Sequence, residues 1–308
     1  MLRKGTDWAV NQTDLNQDMG NVGKLTEQEA YELAETLKQK LAEKQIPDSN
    51  QESLKQMVAG LGDDRGALRL TFAQSLGSVG EVAIPILCDA LKNSPNVIIR
   101  RASAKTLNLI GSEKALPNLL EAFTTDEDPV VQGSSAGAMA TIGIPAIESL
   151  LTILTKKDCS AFQVGLINLA LSFIGSKVPD AFNQATKSDH PEIRIAALTV
   201  LAEQIQAKTN PRAEGLLLEA FQDHNSEVRA EAVTMAGKTL ESSDVNNTLT
   251  IMLQDQSVQV RKNTALALMK MEAVESIEDI NNAISTETDD QVKAVMTVAL
   301  NQLRRSLD

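Results

Sequence analysis

Apolar and small side chains along this chain recur at helical spacing, in a pattern that itself repeats. Arg100 is followed by Ala104, Leu107, Ile110 and Gly111. The same offsets follow Arg69 (Ala73, Leu76, Val79, Gly80) and Gln132 (Ala136, Met139, Ile142, Gly143). Further copies begin at Val164, Arg194, Arg229, Arg261 and Lys293, so the steps are 31, 32, 32, 30, 35, 32 and 32 residues. A fixed period in this range marks a stacked repeat, in which no unit buries its apolar stripe alone. Each anchor predicts a second helix, and upstream stretches such as 83–91, 116–123, 147–154 and 216–221 predict a first.

Between the two helices lie clusters that stop one and cap the next: Asn93-Ser-Pro-Asn, Asp126-Glu-Asp-Pro, Asp189-His-Pro-Glu, Asp223-His-Asn-Ser and Asp255-Gln-Ser. Pro85, Pro117, Pro145, Pro179 and Pro211 fall near the starts of first helices, where a missing N–H costs nothing. The chain is therefore expected to be all-α, an α-solenoid superhelix of about eight helical pairs over residues 51–308. Residues 1–50 lack the period and form an N-terminal extension. Residues 1–24, rich in Asn, Gln, Asp and Gly, are expected to be irregular or mobile. Thr26-Glu-Gln-Glu29 is a capping box opening a helix over about 26–46 that caps the solenoid.

Composition narrows the function classes. Aromatic residues make up 3% of the chain against 43% hydrophobic, so the core is built from Leu, Ile, Val and Ala, as suits packed helices. The net charge of −12 repels phosphate backbones and anionic bilayers, which argues against a nucleic-acid binder. No apolar run follows the first residues and Val164–Gly175 is too short to span a bilayer, so neither a secretory leader nor membrane insertion is expected. Cys88 and Cys159 make no disulfide framework and no metal set. His190 and His224 occupy matching turns and are expected to cap or face solvent; no catalytic and no metal residues are assigned.

The Ile99-Arg100, Ile193-Arg194, Val228-Arg229 and Val260-Arg261 steps, each followed by Ala and Leu, resemble the HEAT repeat in the short form found in phycobilisome lyase-type proteins. Asp63-Asp-Arg-Gly-Ala-Leu-Arg-Leu-Thr-Phe-Ala and Pro95-Asn-Val-Ile-Ile-Arg-Arg-Ala-Ser-Ala-Lys-Thr-Leu look like cyanobacterial and plastid members of that family. The resemblance covers about residues 51–308. It implies an interaction scaffold that acts as a phycobilin lyase-like or chaperone-like factor for phycobiliproteins, in the cytoplasm or plastid stroma. Such proteins hold a tetrapyrrole transiently and present it to a cysteine of the antenna protein, so no intrinsic cofactor and no nucleophile of their own is implied. The expected partner is a phycobiliprotein subunit or a second HEAT-repeat subunit. The alternative is a non-enzymatic adaptor, for example in iron-sulfur cluster assembly. In this family the turn Asp and the repeated Arg are structural, and Asp189, Asp223 and Asp255 stand five to six residues before Arg194, Arg229 and Arg261.

With the anchor, +4, +7 and +11 turned inward, positions +2 and +9 point away from the core. Those pairs include Ala102/Leu109, Leu166/Phe173 and Ala196/Glu203. Around Leu166 and Phe173 the helix has almost no polar side, because Phe162, Val164, Ile167, Leu169, Leu171 and Ile174 crowd it. Either the chain buries this helix all round or the helix lines a partner groove. The candidate groove comprises Arg101, Lys105, Leu109, Leu166, Leu169 and Phe173. Arg101 and Lys105 supply cations for propionates or carboxylates, and Gly133, Gly137 and Gly165 permit close approach.

Overall fold

A computed structural model describes residues 25–306; the expectation for residues 1–24 falls outside that range. Sixteen α-helices and no strand are found among the described residues. They fall into two compact units that meet in sequence at Ile142 and Gly143.

The first unit opens with α1 (Glu27–Ala42), where Thr26 and Glu29 close the expected capping box. The helix stops at Ala42, short of the expected 46. Its Ala30, Ala34 and Leu37 are buried where α1 packs on α3. Three helical pairs follow: α2 (Gln51–Gly60) with α3 (Gly66–Val79), α4 (Ile84–Asn93) with α5 (Val97–Ile110), and α6 (Leu116–Thr125) with α7 (Pro129–Ile142). Second helices stack on second helices, α3 on α5 and α5 on α7, while α4 packs on both α2 and α6. Pro85 and Pro117 sit in the first turns of α4 and α6, as expected. Phe72, Leu76, Leu87, Leu107, Leu119 and Phe123 fill the core. Burying each contributes on the order of 1.5–3 kcal/mol.

The glycine at +11 does not pack inward. Gly80, Gly111 and Gly143 adopt φ of +74°, +64° and +85° and terminate the second helices. A residue without Cβ enters this region at no steric cost, which is why the repeat places glycine there. The turn at Gly80 also divides residues 66–93, which are apolar and long enough on composition to cross a bilayer, into α3 and α4. Both helices turn apolar faces into the core.

The second unit contains α8 (Ile144–Leu154), α9 (Ala161–Lys177), α10 (Pro191–Ala207), α11 (Ala213–Glu219), α12 (Ser226–Thr239), α13 (Ser242–Ile251), α14 (Val258–Lys270), α15 (Ile277–Thr286) and α16 (Asp290–Arg305). Again the second helices stack in order: α9, α10, α12, α14 and α16. Pro179 does not start a helix. Two 3₁₀ turns, Pro179–Phe182 and Ala185–Lys187, replace the first helix of that repeat. The buried Gln204 and Asn210 satisfy the carbonyls this leaves open. Gln204 Nε2 donates to Gly175 O (3.1 Å) and Pro179 O (3.2 Å), and Asn210 Nδ2 donates to Gln204 Oε1 (2.8 Å) and Asn183 Oδ1 (3.0 Å). Such groups would otherwise lie buried without partners, at a cost of about 1–3 kcal/mol each. Phe182 fills the remaining space.

Candidate functional site

Four repeat turns are tied to the next through their anchors, Arg100, Arg194, Arg229 and Arg261. Arg100 Nη1 donates to Ser94 O (3.1 Å), six residues back, and its Nε and Nη2 donate to the carboxylate of Asp126 (2.8 and 3.3 Å) in the following turn. Arg194 does the same with Ser188 O and Asp223, Arg229 with Asp223 O and Asp255, and Arg261 with Asp255 O and Glu287. Gln132, standing in for arginine, keeps the contact to the carbonyl of Asp126 (2.7 Å). Each carboxylate also accepts from the backbone N–H two residues on, so one side chain shapes its own turn and holds the preceding repeat. The arginines are structural, as expected. Asp189 is not a rung: it is exposed, and Ser188 takes the place before Arg194. The spacing misleads there because the backbone carbonyl, not the carboxylate, is what the anchor meets six residues back.

The outward positions divide between the units. In the first unit, Arg101, Lys105 and Leu109 follow one another at four-residue steps along α5. Leu109 is 60% exposed, and Lys105 is exposed. Arg101 is not a free cation. Its Nε lies 2.9 Å from Asp128 Oδ1, and hydrogen bonding from this guanidinium holds the Asp128 carboxyl down at about 2. Asp128 in turn caps α7 by accepting from the N–H groups of Val130 and Val131. Arg101 therefore ties α5 to α7, which leaves Lys105 as the cation of this patch. Gly77 lies beneath Leu109: a Cβ there would stand 3.5 Å from that of Leu109.

In the second unit, α9 is neither buried all round nor wholly exposed. Ile167, Ala170, Leu171, Ile174 and Gly175 face the core, while Phe162 (50%), Leu169 (69%) and Phe173 (46%) face outward. Leu166, expected to point out, is half-buried and borders the same stripe. Around Gly165 a Cβ would meet nothing within 4 Å. The expectation for α10 fails at one point, since Ala196 is 2% exposed. α10 carries buried residues at consecutive positions Ala196, Ala197 and Leu198, because helices pack on it from several sides. The exposed Phe162 and Leu169 lie off the +2 and +9 positions, and their signal was the apolar crowding of this helix.

The thiols are poorly suited to nucleophilic roles. Burial pushes Cys88 up to about 11, and partial burial raises Cys159 as well. His190 caps α10 with its backbone and is exposed. His224 Nε2 lies 3.3 Å from Arg194 Nη2, at the edge of the ladder. No cluster of three His, Cys, Asp or Glu side chains able to hold a metal occurs among the described residues. Depressions sit at two ladder turns, one around Arg100 and Asp126 and one around Arg194 and Asp223, and the exposed Leu109, Phe162, Leu169 and Phe173 line neither.

The chain matches the HEAT repeats family over residues 54–140, 84–161, 178–245 and 213–301. It is 64% identical over 281 residues to the bilin biosynthesis protein MpeU of Synechococcus sp. (strain WH8020), covering 91% of this chain and 95% of that protein. It is 30% identical over 129 residues to the uncharacterized phycocyanin operon protein Z of Pseudanabaena tenuis (strain PCC 7409), covering 39% and 63% respectively. Among solved structures, the complex of CpcE and CpcF of phycocyanin lyase from Nostoc sp. PCC7120 aligns over 81% of this chain and 94% of that one, at 16% identity and a TM-score of 0.33, too low to bear an argument. With the repeats matched over most of the chain and the bilin biosynthesis protein MpeU similar over nearly its whole length, the protein belongs to the HEAT-repeat family.

Proposed function

We propose that this protein handles a bilin and the phycobiliprotein that receives it, as a lyase-like or chaperone-like factor in phycobilisome biogenesis or turnover. The near full-length similarity to a protein named for bilin biosynthesis supports the reading. The observation that carries it is the clustering of large apolar side chains held in solvent on α9, Phe162, Leu169 and Phe173, and the exposed Leu109 beside Lys105 on α5. Apolar faces of this kind mark binding sites. A bilin is an open-chain tetrapyrrole with an apolar body and propionate side chains. On α5, Leu109 offers contact to the body and Lys105, one turn away, a charge for a propionate. In the second unit, Leu166, Leu169 and Phe173 of α9 offer a separate apolar surface to cargo or acceptor. Attachment needs no thiol from this chain, because the acceptor cysteine belongs to the phycobiliprotein. The bilin is cargo, and the work takes place where phycobiliproteins assemble, in the cytoplasm or plastid stroma.

Mixing the purified protein with free phycobilin tests the reading. A shift and sharpening of the visible absorption is expected, because a held bilin has fewer conformers than a free one. Replacing Lys105→Glu with Leu109→Ser should weaken the titration about tenfold or more, the loss of one ion pair and one apolar contact, with helical circular dichroism unchanged. An unshifted spectrum with the native chain, or an identical titration with the double variant, would sink the bilin site on α5.

A further inference from the structure

The exposed patches on α5 and α9 differ in chemistry. The α5 patch carries a lysine beside its leucine, whereas α9 bears no charge from Ala161 to Ser176. Its outward residues Phe162, Leu166, Leu169 and Phe173 step by 4, 3 and 4, the spacing of a seam between two helices. The seam is about 16 Å long at the helical rise per residue. Gly165 beside it leaves open space where a side chain would stand, which lets a second backbone come close.

Charge marks both ends of this seam. The exposed Lys156 and Lys157 lie in the turn that leads into α9, and Lys177 closes the helix with its ammonium 4.0 Å from the Phe173 ring centroid. Asp158 offsets one of these three cations, in a chain whose net charge is −12. From this arrangement we infer that the α9 seam receives an amphipathic helix of a protein partner, with apolar residues at three- and four-residue spacing and acidic residues at both ends. The inference rests on the proposed function and names the chemistry of the protein that docks at its α9 surface.

A second copy of this chain fits less well. Antiparallel pairing of two α9 helices sets Lys177 of one copy beside Lys156 and Lys157 of the other, and parallel pairing stacks like lysines on one another. A bilin also fits less well here, since the seam's cations stand at its two opposite ends, whereas the two propionates of a bilin lie side by side on its central rings. The seam is smaller than a standard protein interface, so affinity in the micromolar range is expected from it alone.

The test uses the full chain and a fluorescein-labelled three-turn peptide helix with leucines at seam spacing and glutamates at both ends. Lysine-ended and scrambled peptides serve as controls, and anisotropy is the readout. The glutamate-ended peptide should bind in the micromolar range and the controls about tenfold or more weakly. Leu169→Ser with Phe173→Ser should abolish binding, Phe162→Ser should weaken it, and Lys177→Glu should erase most of the preference for glutamate over lysine ends. These side chains are largely exposed, so helical circular dichroism should stay the same. Equal binding of all three peptides, or none, overturns the inference. So does sedimentation of the native chain as a dimer that Leu169→Ser dissociates, or capture by phosphatidylglycerol vesicles through these residues without peptide binding. The bilin titration stands apart: a chain that shifts the bilin spectrum but ignores the peptide keeps the proposed function and loses the helix site, and the converse result does the reverse.

Discussion

Arg261 and Glu287 show how a single rung works. Both side chains are largely withdrawn from water, and the guanidinium meets the carboxylate in a paired geometry at 2.7 and 2.8 Å. Hydrogen bonding from Arg261 is the main reason the Glu287 carboxyl is held at about 2, below its ordinary 4.5. A depressed folded value means that the contribution to stability is present above the ordinary value and disappears as pH falls through the folded one. Glu287→Gln should therefore lower the unfolding free energy by about 1.5–3 kcal/mol at pH 7. The difference from the native chain should shrink steadily between about 4.5 and 2. Urea unfolding at a series of pH values measures this, and a constant difference across that window would mean that the rung's charge does not matter. The pattern of anchors made the arginines visible in the sequence, but their partners stand 26 to 29 residues away in the next turn. Spacing within one repeat pointed instead to Asp189, which the fold leaves in solvent.

At the scale of elements, glycine separates positions that look alike in sequence. Gly237 on α12 faces α14 so closely that a Cβ would lie 2.6 Å from Ala267 Cβ and 2.8 Å from its Cα. Gly165 on α9 is also mid-helix, yet nothing stands within 4 Å of its Cβ position. Gly237→Ala should destabilise the protein by about 1–3 kcal/mol, since two helix backbones must separate. Gly165→Ala should stabilise it by about 0.5–1 kcal/mol, the ordinary cost of glycine inside a helix. Thermal melts of the two variants should move in opposite directions, and a shift of both the same way would contradict the contact at Ala267. A related distinction governs the stops of the second helices. Where glycine takes a positive φ the helix ends on schedule at +11, whereas Gly175 is buried inside α9 and the helix runs on to Lys177. The 3₁₀ turns at 179–187 follow from the same crowded region, where Gln204 and Asn210 provide the hydrogen bonds that a regular helix would have made internally.

For the whole molecule, stacking implies graded cooperativity. The second unit's core runs without a break from Leu198 to Leu303, and α16 closes it by burying Val292, Met296, Ala299, Leu300 and Leu303. Contacts run mainly between neighbouring repeats, so the energy of the array is close to a sum over adjacent pairs. Ending the chain before Ser276 should leave the remaining repeats helical at low temperature but lower the melting temperature by several degrees. Loss of Glu287 from the Arg261 rung and exposure of α14 both act in that direction. Complete loss of helical circular dichroism on truncation would show that the last repeat nucleates the others.

The eight anchors, the capping box, the helical pairs other than the one at 179–187 and the proline starts at Pro85, Pro117 and Pro145 were legible in the sequence, because each depends on neighbours a few residues away: helical period, caps and turns are local physics. The family was legible for the same reason, since a repeat presents its pattern many times. Which side of a helix meets solvent was only partly legible. Helical offsets placed Leu109 and Phe173 outward, as found, but not the burial of Ala196 or the partial burial of Leu166. Those depend on how many helices pack on α10 and how far α9 turns against it, and contacts between residues distant in the chain set both. The candidate cations show the same limit. Arg101 and Lys105 stand one turn apart on the same helix, yet only the fold places Asp128 against the first and leaves the second in solvent.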